Sequence, residues 1–242
     1  PVEFTREVST DAVTGEKTYG SWSADPSFAA VTSPAIKGYT PDKAEIGSQT
    51  VNGDDSDLVF TVVYAKNDPT ITTESKTIKE TIHYVYKDGT KAHDDYVAKP
   101  VEFTREVSTD AVTGEKTYGS WSANQSFAAV TSPTIKGYTP DKAEIEAQTV
   151  SGDDNDVVKT VTYKANTQKL KVVFIDDTTG QVLKTVTKTG VTNANAGYNT
   201  QSDIQSYEGQ HYVLVSDSSH GANLVFDNED NTDQAYEVHL KH

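Results

Sequence analysis

Residues 1–24, PVEFTREVSTDAVTGEKTYGSWSA, recur letter for letter as residues 100–123. The match runs on through SFAAVTSP and IKGYTPDKAEI until Tyr64 meets its counterpart Tyr163. Two stretches this alike in one chain are a duplicated module, and modules of this size stack as beads with local cores. Catalysis needs one site with one geometry. Repetition multiplies a contact surface instead, so the duplication points to reach or avidity.

The 242 residues have room for two or three such domains. A net charge of −15 repels nucleic-acid phosphates and anionic membranes, so neither is expected as a partner. The chain has no cysteine, which excludes disulfides, thiolate metal sites and cysteine nucleophiles. No Met opens it, and no signal peptide or apolar run long enough to span a bilayer is present. It therefore reads as an internal piece of a longer protein, with any anchor outside it and no direct membrane insertion. Frequent Thr, Val and aromatic residues favour strands with one wet face.

Taken in order, Val2, Phe4, Arg6 and Val8 alternate with polar residues, DAVTGE turns, and Lys17–Trp22 returns as a second strand. SPAIKGYTPD reads as loop or very short strand, NGDDSD as a turn, and Leu58–Tyr64 as a closing strand. Residues 67–75, NDPTITTES, read as a linker. The strand through Ile82, Tyr84 and Tyr86, with its Asp88-Gly89 turn, has no counterpart in the first copy. A full module is thus 76–165, and residues 1–66 are the rear part of a truncated one, expected to lack a strand or to borrow a neighbouring edge. From 167 the order becomes β-β-α-β-β, a β-grasp order. Its one helix is signalled by Thr200 and Asp203 at capping-box spacing and by Gly209 at its end. Val225–Phe226 is expected to open a further strand. The fold class is α+β and strand-dominated, with tandem β-grasp modules arranged as an elongated rod.

TIHYVYKDGT, DAVTGEKTYGSW and FAAVTSPTIKGYTPDKAEI resemble the first half of a mucus-binding (Mub, MucBP-type) repeat of lactobacilli. VVFIDDTTGQVLKT, SDIQSYEGQHYVLVSD and LVFDNEDNTDQAYEVHLKH resemble its second half, the B2 domain. The resemblance implies cell-wall-anchored adhesins of Gram-positive gut bacteria. It also implies ubiquitin-like or protein-L-like folds, binding of mucin glycoproteins, and immunoglobulins as a further partner.

Trp22 and Trp121, at equivalent positions, are either sugar-stacking platforms or core residues of their modules; Tyr39 and Tyr138, in the GYTPD loop, are candidates for surface recognition. The acidic turns offer Asp54, Asp57, Asp153 and Asp156 as calcium ligands or as solvated turns, and no EF-hand pattern is present. No cofactor other than calcium is suggested. The six histidines form no HExxH or other zinc spacing, and no GxSxG elbow occurs, so no enzymatic activity is expected. Three readings follow: mucin adhesion, protein capture by strand addition, and a structural spacer.

Overall fold

The computed structural model describes residues 1–242. The chain divides into two compact units, residues 1–75 with 104–121, and residues 76–103 with 122–242.

In the first unit the DAVTGE turn closes two identical hairpins, Val8–Thr10 with Lys17–Tyr19 and Val101–Thr109 with Lys116–Tyr118. Asp11 and Asp110 build each turn by accepting the N–H groups two and three residues on. Three short ribbons complete the first copy: Ser27–Phe28 with Gln49–Thr50, Val31–Thr32 with Glu45–Ile46, and Tyr39–Pro41 with Tyr64–Lys66. The expected strands of this copy are shorter than the alternation suggested. The first begins only at Val8, and the last covers Tyr64–Lys66 in place of Leu58–Tyr64. Alternation gives a strand a face, but the ladder needs a neighbour, and residues 58–63 have none on one side. The supposed linker is itself a strand, Thr70–Ile78, which lies on the other edge of Val101–Thr109. Its run of Thr and Ile suits a pleated edge better than a flexible tether.

The second unit holds two four-stranded sheets. The first has the order Lys91–Val97, Glu80–Tyr86, Val157–Ala165, Tyr138–Pro140, and its central pair is parallel, from Glu80 opposite Val157 to Tyr86 opposite Tyr163. Ile82, Tyr84, Ile145, Val161 and Tyr163 form its core, and the Tyr163 hydroxyl donates to the Pro133 carbonyl at 2.5 Å. Two small ribbons accompany this sheet: Gln125–Phe127 with Gln148–Val150, and Val130–Thr131 with Glu144–Ile145.

The second sheet has the order Gln181–Val191, Thr167–Asp176, Gln234–Lys241, Val213–Asp217, again with a parallel centre. Here the helix Gln201–Glu208 is present, packing Ile204 and Tyr207 against a core of Leu170, Val172, Phe174, Val238 and Leu240. This is the β-grasp. The expected capping box is absent. Thr200 occupies the N-cap without a side-chain cap bond; its hydroxyl donates to Asp217 at 2.5 Å, and Asp203 instead receives Lys184 and Tyr198. Thr200 sits at the N-cap with helical φ/ψ, and its hydroxyl is turned to the half-buried Asp217 carboxylate. Val225 makes only an isolated bridge with Asn195, so the strand expected at 225–226 does not form. No helix is long and apolar enough to cross a membrane.

Within the second unit the GYTP loop meets the 167–242 module. Gly137 has φ +79°, and a Cβ there would lie 2.8 Å from the Thr192 and Asn228 side chains. Its carbonyl accepts the Thr192 hydroxyl at 2.8 Å, while Asn166 and Gln168 both donate to Asp230. The absence of a side chain at 137 is what allows this approach.

Candidate recognition surface

Both hairpins display the same arrangement of one arginine between two aromatic rings. The Arg6 guanidinium lies 4.2 Å from the Tyr19 ring centre and 4.3 Å from that of Trp22. Arg105 lies 4.3 Å from Tyr118 and 4.2 Å from Trp121. Antiparallel pairing explains the stack: Val8 opposite Tyr19 carries the Arg6 side of one strand across from the Tyr19–Trp22 side of the other. A guanidinium over an aromatic face is held by the ring quadrupole, which fixes a long side chain without a buried counter-charge. Arg105 also donates to Glu74 at 2.7 Å. Trp22 is pinned further, since its indole N–H donates to Asp54 at 3.0 Å and its ring leans over the backbone of Gly53, where a Cβ would meet it at 2.2 Å.

Trp22 and Trp121 are thus half-buried, one face taken by arginine, while Tyr19 and Tyr118 are half open to solvent. The tryptophans are the expected members of this surface, and Arg6, Arg105, Tyr19 and Tyr118 are members that the sequence alone did not indicate. The signal was available in EFTREV and KTYGSW, where hairpin register brings the arginine beside an i, i+3 aromatic pair.

The other sequence-derived candidates lie apart from this surface. Tyr39 is exposed in the first copy; Tyr138 packs at 4.7 Å on the Tyr86 ring, and its hydroxyl accepts from Asn193. Two of the candidate calcium ligands are engaged by donors from elsewhere in the chain. Asp54 accepts the Trp22 indole, and Asp156 accepts the Lys79 N–H at 2.8 Å. No three carboxylates or histidines are gathered in a group that could hold a metal ion, so Asp54, Asp57, Asp153 and Asp156 are not brought together as a site.

Histidines pair locally with carboxylates: His83 with Asp95, His239 with Asp177, His242 with Asp176. The hydrogen bond to Asp177 raises the His239 pKa above its ordinary value. In the last module Asp217 would be pushed up by burial. Hydrogen bonds from Thr200, from the Ser219 side chain and from the Ser219 and Gly221 N–H groups outweigh that and hold it below the usual carboxylate range.

One carboxylate has no such partners. Glu80 is 1 % exposed, on the same strand face as Ile78, Ile82 and Tyr84, and neither of its oxygens receives a hydrogen bond. Burial pushes its carboxyl up, and the charge of Lys159 offsets this only in part.

Two copies of a strand-rich module followed by a β-grasp define a tandem-repeat protein whose recurrent features are surface stacks on hairpins. Comparison with known proteins is consistent along the whole length. A Muc B2-like domain family model matches residues 1–68 and again 69–167, and a Mucin binding domain model matches residues 168–242. The chain belongs to the Muc B2-like domain family, and it ends in a mucin binding domain.

Among solved structures, the type 2 repeat of the mucus binding protein MUB from Lactobacillus reuteri is 28 % identical, covering 68 % of this chain and 100 % of that one, with a TM-score of 0.40. The MucBP domain of an adhesion protein from Pediococcus pentosaceus is 46 % identical over 38 % of this chain and 99 % of that one, with a TM-score of 0.33. A mucin-binding domain from Streptococcus pneumoniae is 37 % identical over 40 % and 96 %, with a TM-score of 0.35. Among curated proteins, none matches this chain.

Proposed function

We propose that this chain is a non-enzymatic adhesive segment of a bacterial surface protein, binding mucin-type glycoproteins through repeated weak contacts. The observation that carries the reading is the family match on three consecutive modules, the last to a mucin binding domain. The Tyr–Arg–Trp stack, present on both hairpins, suits the role chemically: aromatic faces pack on sugar rings and a guanidinium attracts sialic acid or sulfate. Duplication then supplies avidity that one shallow surface lacks. In this reading the surface protein is anchored to the cell wall by segments other than these modules.

The test is retention of the chain on immobilised mucin before and after enzymatic removal of sialic acid and other terminal sugars. Loss of binding on sugar removal supports the reading, and unchanged binding to the bare protein core contradicts it. A second reading, strand addition to a protein partner such as an immunoglobulin, is favoured by one feature. The edge strand Val213–Asp217 leaves Val213, Leu214 and Val215 exposed. Immunoglobulin capture that survives deglycosylation would select it.

A further inference from the structure

The stretch NANAGYN, residues 193–199, alternates asparagine with residues that pack inward. Ala194, Ala196 and Tyr198 rest on the core of the last module, and their backbones pair with residues 224–226. The Ala196 N–H donates to the Leu224 carbonyl at 2.8 Å, and the Leu224 N–H to the Tyr198 carbonyl at 3.0 Å. Leu224 and Phe226 are buried, so the alternate positions Asn195 and Asn223 face outward. Together with Lys184 of the strand Gln181–Val191, and Ser202 and Asp203 in the first turn of the helix, they line an open cleft of about 510 Å³. That is the size of a small-ligand site.

The lining is held by bonds within it. Asp203 accepts the Lys184 ammonium and the Tyr198 hydroxyl, each at 2.6 Å. Burial pushes the Asp203 carboxyl up, but these two donors outweigh it and hold the group below the usual carboxylate range. The Asn195 side-chain oxygen accepts the Gly197 N–H at 2.7 Å, and that of Asn223 accepts the Asn199 amide at 3.0 Å. Both oxygens are thus engaged, and the Nδ2 donors of Asn195 and Asn223 are left without protein partners, as is the Ser202 hydroxyl.

Outward donors beside a fixed carboxylate make a mixed donor–acceptor set. Sugar hydroxyls match it, because each donates and accepts at once. The charge of Lys184 is already met by Asp203, so no unpaired cation lines the cleft to receive an acidic ligand. A lining fixed in advance also loses little freedom on binding.

We propose that this cleft is a glycan subsite for a neutral hexose or N-acetylhexosamine, held by Asn195, Asn223, Ser202 and Asp203. The inference takes its ligand class from the mucin reading and deepens it: acidic sugars fall to the arginine stacks, and uncharged ones to the last module.

The test titrates the isotope-labelled 242-residue chain with N-acetylgalactosamine, galactose and sialic acid, and follows the side-chain amide signals of Asn195, Asn199 and Asn223 by NMR. Saturable shifts at these amides with a neutral sugar, and none with sialic acid, are expected. Asn195→Asp and Asn223→Asp keep the oxygens that Gly197 and Asn199 use and remove the outward donor. Each should weaken binding roughly three- to tenfold, and Ser202→Ala, which adds no charge, should weaken it in the same direction. Unchanged hydrogen exchange at the Ala196 and Leu224 N–H groups would show that the variants keep the fold. Silence of these amides with every sugar, a preference for sialic acid, or full affinity in all three variants overturns the proposal. Sugar-dependent retention on mucin with silent amides overturns the cleft alone and leaves the mucin reading standing. Neutral-sugar shifts in a chain that mucin does not retain support the cleft and count against the mucin reading.

Discussion

Replacing Glu80 isolates one physical term in the filled module. Its carboxyl is buried on the core face without a hydrogen bond, so the fold carries the cost of an unsatisfied polar group there. Glu80→Leu removes that burden and adds apolar burial between Ile78 and Ile82, worth about 1–3 kcal/mol of stabilisation near pH 7. For a module of this size that corresponds to a rise of roughly 5–15 °C in its melting temperature. The pH dependence carries the sharper signature. The folded pKa is raised above the ordinary 4.5, so the folded state binds more protons than the unfolded state between those values. Stability is therefore greatest below 4.5 and falls as pH rises through the folded value, by at most about 1.4 kcal/mol per pH unit. Urea unfolding from pH 4 to 7.5, followed by amide exchange at residues 80–86, reads this slope, and Glu80→Gln should flatten it. A Glu80→Leu protein less stable at pH 7, or a slope that persists in Glu80→Gln, would refute the reasoning.

Three further outcomes follow from the same geometry. Tyr163→Phe removes the donor to the part-buried Pro133 carbonyl and should cost about 1 kcal/mol in urea unfolding. Tyr64→Phe, at the half-exposed twin that bonds the Pro34 carbonyl, should cost clearly less. Asp217 has a depressed pKa, so its contribution to the 167–242 module is full above the ordinary 3.8 and lost as pH falls through the folded value. Acid unfolding of Asp217→Asn should accordingly begin from a lower plateau and show a shallower loss below pH 4. Gly137→Ala forces a Cβ onto Thr192 in a left-handed backbone, and should cost about 1–3 kcal/mol with loss of exchange protection at the Thr192 N–H, which bonds the Asn166 carbonyl.

Local signals were legible in the sequence wherever a strand and its partner are neighbours. The DAVTGE hairpins and the Thr167–Asp176 with Gln181–Val191 hairpin of the last module follow from alternation and turn residues alone. Pairings over long separations were not. Residues 67–75 look like a linker because their partner, Val101–Thr109, lies some thirty residues on. Leu58–Tyr64 looks like a strand, yet no ladder forms before Tyr64, and Val63 bonds only the single residue Asp42. The burial of Glu80 is hidden for another reason: its charge suggests solvent, although its parity with Ile78, Ile82 and Tyr84 puts it on the core face. Trp22 and Trp121 were visible as candidates from their equivalence. Their arginine partners became visible only once hairpin register was known. The capping box failed because Thr200 has helical φ/ψ in place of the extended N-cap conformation, and its hydroxyl is turned to Asp217, seventeen residues away.

A duplicated contact surface acting by number should release slowly and in steps as its copies are removed. The most direct measurement is the dissociation rate of the 242-residue chain from a dense mucin layer, for the parent, for Arg6→Ala and Arg105→Ala singly, and for both together. Each single substitution should speed release several-fold, and the double substitution should do so by more than either, with release slowed again at higher mucin density. Equal release rates for all four proteins, or loss of all binding on removal of one arginine alone, would contradict it.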